Sequence, residues 1–94
     1  MRLRYTETAL SEIEGIFLYL SERNPGAAKV LANRLKDVAS LLKDYPLFGR
    51  ESDEPGVRIA SLVRFPFLIF YTISGDEVVI LNVRHAARAW PWEG

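Results

Sequence analysis

Two hydrophobic periods run along this chain, and the change from one to the other divides it into elements. Arg2-Leu3-Arg4-Tyr5 alternates polar and apolar, which predicts a short strand with Leu3 and Tyr5 inward. Thr6 is placed to cap a helix, with Glu7 in its first turn. Leu10, Ile13, Phe17 and Leu20 then recur at three- and four-residue spacing, widened by Ile16, as in an amphipathic helix. Asn24-Pro25 opens a second helix, asparagine as cap and proline at the first position. Its seam is Ala28, Leu31, Leu35, Val38, Leu42 and Tyr45, and Pro46 ends it. The short Ser21-Glu22-Arg23-Asn24 link makes the pair an antiparallel hairpin.

From Gly56 the period falls to two. Val57–Leu62, Pro66–Ile73 and Glu77–Val83 read as strands, the last continuing into Arg84-His85. Ser74-Gly75-Asp76 is a tight turn in which glycine supplies a positive φ. Between helices and strands, Leu47-Phe48-Gly49 is expected to pack a turn on the core, and residues 50–55 to form an exposed polar loop. The expected fold is α+β, in the order β-α-α-β-β-β. A helical hairpin packs on a small, mainly antiparallel sheet in one domain spanning residues 1–94. Alternation puts Phe67, Ile69, Tyr71 and Ile73 on one face of the middle strand, against Leu68, Phe70 and Thr72. In the last strand it sets Val79, Leu81 and Val83 against Val78, Ile80, Asn82 and Arg84. Neither face is fully polar, so something besides the helices is expected to cover the second face, at least in part. Ala86-Ala87-Arg88-Ala89 is expected to form a helical turn. Trp90 and Trp92 follow, either folded back on the domain or anchoring a partner.

Composition removes several function classes. Lysine plus arginine equals aspartate plus glutamate at 12 each, which argues against a general nucleic-acid binder. There is no cysteine, which suits a reducing cytoplasm. No signal peptide and no bilayer-length apolar run is visible. One histidine and scattered acids give no metal-ligand spacing, no Gly-rich phosphate loop precedes a helix, and no cofactor is implied. The charge is unevenly distributed. Residues 7–22 carry Glu7, Glu12, Glu14 and Glu22 and no base, whereas from residue 56 every basic residue is arginine: Arg58, Arg64, Arg84 and Arg88. Arginine's planar fork suits phosphate and carboxylate.

Two classes of chemistry fit those arginines. A ribonuclease would use Arg58, Arg64 and Arg84 on the phosphate, with His85 moving protons and Glu51 or Glu54 as base. Tyr71 has suitable chemistry but falls on the core face. A binding protein would use the arginines, the tryptophans and the helix faces as contact surface.

Nearly the whole chain resembles the ParE branch of the RelE/ParE toxin superfamily. The resemblance is carried by Tyr5-Thr6-Glu7-Thr8-Ala9, by Ile16–Leu20 with Arg23-Asn24-Pro25 and Ala27-Ala28, and by Tyr45-Pro46 before Phe48-Gly49-Arg50. It continues through Val57-Arg58, Arg64–Tyr71, Gly75–Leu81 and Val83-Arg84-His85-Ala86-Ala87-Arg88. It implies a bacterial type II toxin of the cytoplasm, held inactive by a ParD-like antitoxin that wraps it and meets DNA itself. ParE-like toxins poison DNA gyrase, whereas RelE-like toxins cleave mRNA on the ribosome. A degenerate member would serve only as co-repressor. The nuclease branch often places histidine or tyrosine just after the final strand, where this chain has Ala86 and Ala87, so the resemblance favours gyrase. The expected target contacts are Arg58, Arg64, Arg84, His85, Arg88, Trp90 and Trp92; the expected antitoxin contacts are Glu12, Glu14, Tyr19, Lys29 and Lys36.

Overall fold

The computed structural model describes residues 1–87 and 90–93. Strand β1 (Arg2–Tyr5) is followed by helices α1 (Glu7–Arg23) and α2 (Pro25–Asp44). Then come strands β2 (Arg50–Glu51), β3 (Arg58–Ser61), β4 (Phe67–Ser74) and β5 (Glu77–His85), and a 3-10 turn at Pro91–Glu93. The strands form one five-stranded sheet in the order β1-β5-β4-β3-β2, with β1 parallel to β5 and the other pairs antiparallel.

The caps are those the residue types call for. The Thr6 hydroxyl accepts from the Ala9 N–H at 3.0 Å and donates to the Leu81 carbonyl at 2.9 Å, so one side chain starts α1 and ties it to β5. Asn24 closes α1 through its N–H to the Leu20 carbonyl and opens α2 by accepting from the Ala27 N–H at 3.1 Å. A single residue therefore turns the hairpin. The helices cover one face of the sheet over a core led by Leu31, Leu42, Leu62, Ile69, Tyr71, Val78 and Ile80. Gly75 takes φ +59° in the two-residue β4–β5 turn.

Several expectations are corrected. An additional strand, β2, pairs Arg50 with Ile59 and Glu51 with Arg58 inside the segment expected to be loop. In α1 the fully buried residue is Ala9, while Leu10 is 53% exposed. Ala9 lies on the side of α1 turned to the sheet, and Leu10, the next residue around the helix, lies outside it. Tyr45, Leu47 and Phe48 are exposed rather than packed; Gly49 alone of that turn is buried. The parity expected for β5 fails at Leu81. Tyr71 pairs with Ile80 but Phe70 with Asn82, leaving Leu81 as an extra residue in a β-bulge. Past the bulge the faces exchange, and Val83 joins Val78 and Ile80 in the helix-side core.

The far face of the sheet is covered in part by the chain itself. Phe70 is buried there, with Trp90 and Trp92 edge-on to its ring at centroid distances of 5.4 and 5.8 Å. The two indoles stack on each other at 5.5 Å. The expected helical turn after His85 lies partly outside the described residues, as does Arg88.

Candidate functional site

The sheet end where β4 begins and β5 finishes gathers part of the expected basic set. Phe67 pairs with His85 and Leu68 with Arg84. The β3–β4 connection is a turn closed by the Phe65 N–H to the Leu62 carbonyl, with Arg64 exposed at its third position. Arg64 has φ +73° and is the only non-glycine residue in the left-handed region among the described residues. Arg34 holds the turn from α2, donating to the Val63 carbonyl at 3.2 Å. Backbone strain of this kind costs on the order of 1 kcal/mol and fixes an exposed guanidinium at the tip. His85 lies edge-on to the Phe67 ring at 5.6 Å, and its Nδ1 accepts from the Ala87 N–H at 3.0 Å. In that geometry Nε2 carries the ring proton.

Arg84 is held rather than offered. Its Nε donates to Glu12 at 2.8 Å, and the same carboxylate accepts from the Asn82 amide and the Val83 N–H at 3.1 Å each. β1 pairs with β5 only as far as Ile80, so beyond that point the β5 edge has no strand beside it. Thr6 takes the Ile80 and Leu81 carbonyls, and Glu12 takes the next free N–H. A helix side chain thus completes a sheet edge. Glu12 was an expected partner contact; its carboxylate is spent inside the fold.

Arg58 stands apart from this group. It lies opposite Tyr71, four residues from Phe67 and so about 14 Å along the sheet at ~3.4 Å per residue. Its guanidinium donates to the Gly49 and Leu47 carbonyls at 2.9 and 3.1 Å and sits 3.6 Å from Glu51. Tyr71, fully buried, donates to the Pro46 carbonyl at 2.7 Å and accepts from the Gly49 N–H at 2.9 Å. These two side chains pin the 46–49 backbone. A Cβ at Gly49 would stand 2.7 Å from the Tyr71 hydroxyl and the Ile59 carbonyl, so only glycine fits. An open groove of about 380 Å³ lies beside this loop, lined by Leu47, Glu51, Glu54, Val57, Arg58 and Thr72 among others.

Trp90 and Trp92 sit over Phe70 on the far face, with the Arg50 guanidinium 5.8 Å from the Trp90 ring centre. Of the remaining expected partner contacts, Glu14, Tyr19, Lys29 and Lys36 are all exposed on the helices. The carboxylate latch of Glu12, the Tyr71–Gly49 clamp and the Arg50–Trp90 contact join residues far apart in sequence, which local pattern does not reveal. Only Gly49 carried a sequence signal, a glycine directly after two large apolar residues.

A profile described as the ParE toxin of the type II toxin–antitoxin system, parDE, matches residues 3–90. Y4kP of Sinorhizobium fredii is 36% identical over 90 residues, covering 96% of this chain and 93% of that protein. Toxin RelE2 of Caulobacter vibrioides is 35% identical over 85 residues, covering 89% and 93%. Among solved structures, the chromosomal ParDE system from P. aeruginosa superposes with a TM-score of 0.70 at 26% identity, covering 90% of this chain and 95% of that one.

Proposed function

Because the chain belongs to the ParE toxin family of type II toxin–antitoxin systems, we propose that it is a poison of DNA gyrase. It would act in the cytoplasm by binding, without catalysis of its own, and be silenced by a ParD-like antitoxin that supplies all contact with DNA. What supports a binding mechanism is that several of the groups a nuclease would use are engaged within the fold, although Arg64 and the Glu54 carboxylate are not and Glu51 is largely exposed beside Arg58. Arg58 is spent on loop carbonyls, Arg84 on Glu12, the Tyr71 hydroxyl on Pro46 and Gly49, and His85 Nδ1 on the Ala87 N–H. Proton transfer needs a base and an acid free to reach one substrate atom. In this reading exposed Arg64 in the β3–β4 turn and His85 at the end of β5 form the target contact, joined by Trp90 and Trp92 on the far face; Arg88 belongs to the same expected set. Glu14, Tyr19, Lys29 and Lys36 are left for the antitoxin.

Purified protein is expected to make gyrase accumulate cleaved, unreligated plasmid. Unchanged supercoiling and cleavage at high molar excess would sink the reading. A second reading, mRNA cleavage on the ribosome, draws on the 35% identity to a RelE-named relative. It requires that translating ribosomes with this protein yield cut mRNA and that His85→Ala and Arg64→Ala abolish the cuts.

A further inference from the structure

The outer face of α1 is unlike the rest of the helical surface. Ala9, Ile13, Ile16, Phe17 and Leu20 face the core. On the side away from them, Leu10, Glu14, Leu18 and Glu22 form a ridge at four-residue spacing, in which Leu10 and Leu18 are 53% and 59% exposed. The neighbouring four-residue row is Ser11 and Gly15, and it ends at Tyr19, 58% exposed, with the Arg23 guanidinium 3.7 Å above its ring. Gly15 is in mid-helix, where glycine is the least favourable residue after proline. A Cβ there would meet nothing within 4 Å, so no contact inside this chain requires the glycine. Glu7, Glu14 and Glu22 are exposed along this side; Glu22 is 3.9 Å from the Arg23 guanidinium at the end of the helix, and Glu7 and Glu14 have no base on α1 before it.

We infer that this face docks a basic amphipathic helix of a protein partner, crossing α1 at Gly15. A ridge of the incoming helix enters the shallow groove over Ser11 and Gly15, walled on one side by Leu10–Leu18 and closed at its end by Tyr19. Four-spaced ridges meeting in this way cross at about −50°. The missing Cβ lets the two backbones approach closely. Apolar residues of the partner cover Leu10 and Leu18, and its lysines or arginines meet Glu7 and Glu14. A second copy of this chain fits worse. The same face would bring glutamate onto glutamate. The lysine row of α2, Lys29–Lys36–Lys43, has Asn33 and Ser40 between its charges, and Val30, to one side of it, is the one large apolar residue exposed on that helix. The inference rests on the reading that this protein is held by an antitoxin, and it assigns that antitoxin's helix a place and a chemistry.

The test titrates the purified chain with the product of the open reading frame adjoining its gene. Gly15→Ala is expected to raise the melting temperature of the free chain by about 5 °C yet weaken the complex several-fold, a combination that a purely structural role does not give. Gly15→Leu and Leu18→Lys are expected to weaken binding by about 30-fold or more, while Leu47→Ser, in the exposed loop after α2, keeps wild-type affinity. Glu14→Lys should slow association and flatten its salt dependence. Binding that survives Gly15→Leu and Leu18→Lys unchanged overturns this inference alone. Loss of a homodimer in those variants overturns it in favour of a second copy. No binding to the wild-type chain overturns the antitoxin reading and this inference with it.

Discussion

The Glu12 latch can be tested as an energetic claim. Glu12→Ala removes the acceptor of three groups: the Val83 N–H, the Asn82 amide and the Arg84 guanidinium. They are not equally costly to abandon. Val83 is 3% exposed, so its N–H finds no water, and an orphaned buried donor costs about 1–3 kcal/mol. The Arg84 and Glu12 side chains are 30% and 23% exposed, so a freed guanidinium is partly hydrated; about 1 kcal/mol is a reasonable loss there. Asn82 is half-buried and adds less. The sum is about 2–4 kcal/mol, a large share of the roughly 5–14 kcal/mol expected for a chain of this length. At about 4–8 °C per kcal/mol, the melting temperature should fall by roughly 8 °C or more. Thermal unfolding followed by circular dichroism measures this. A double-mutant cycle with Arg84→Ala should return a coupling of about 1 kcal/mol. Native-state hydrogen exchange should show faster opening at Val83 in Glu12→Ala. A loss under ~0.5 kcal/mol with unchanged exchange at Val83 would refute the reasoning and return Glu12 to the solvent-exposed surface.

Tyr71→Phe strips the Gly49 N–H and the Pro46 carbonyl of their partner and should cost about 1–3 kcal/mol in denaturant melts; Gly49→Ala should cost at least as much, because its Cβ would collide with the Ile59 carbonyl. Arg64→Gly should stabilise the fold by up to about 1 kcal/mol by relieving the left-handed backbone, while growth arrest on induced expression is lost. Stability gained together with undiminished toxicity would remove Arg64 from the target surface. Burial raises the Tyr5 phenol above its ordinary value near 10. The folded state therefore holds that proton more tightly than the unfolded one. Its contribution is intact below pH ~10 and is lost as pH rises through the folded value. Melting temperature should fall above pH ~10, and less steeply in Tyr5→Phe.

Much of the architecture could be read from local pattern. Thr6 and Asn24 cap helices because a short polar side chain beside the first free N–H groups satisfies them wherever the helix lies. The α2 seam from Ala28 to Leu42 and the Gly75 turn are equally local. Tyr71 was placed in the core by alternation along β4 alone, and it is fully buried. The departures share one cause, which is contact between residues far apart in sequence. Alternation along β5 is broken by Leu81, a bulge that exists only because Phe70 and Tyr71 pair as they do on the neighbouring strand. Leu10 gives the stronger apolar signal, yet Ala9 is buried, since the way α1 is rotated on the sheet decides which of the two faces it.

The candidate site was less legible than the fold for the same reason. The arginines could be named from the sequence, but whether each was free could not. Arg58 and Arg84 are held by carbonyls and a carboxylate 9 to 72 residues away along the chain, whereas Arg64 sits at a turn tip. Periodicity, capping and turn chemistry depend on neighbours a few residues apart, so the sequence by itself determined the helices, the β4–β5 hairpin and the α+β order. Tertiary structure decided which charges are spent inside the fold, which face each strand presents past its bulge, and that Trp90 and Trp92 lie on Phe70. Those outcomes depend on which distant side chain reaches a buried polar group or apolar face before water does.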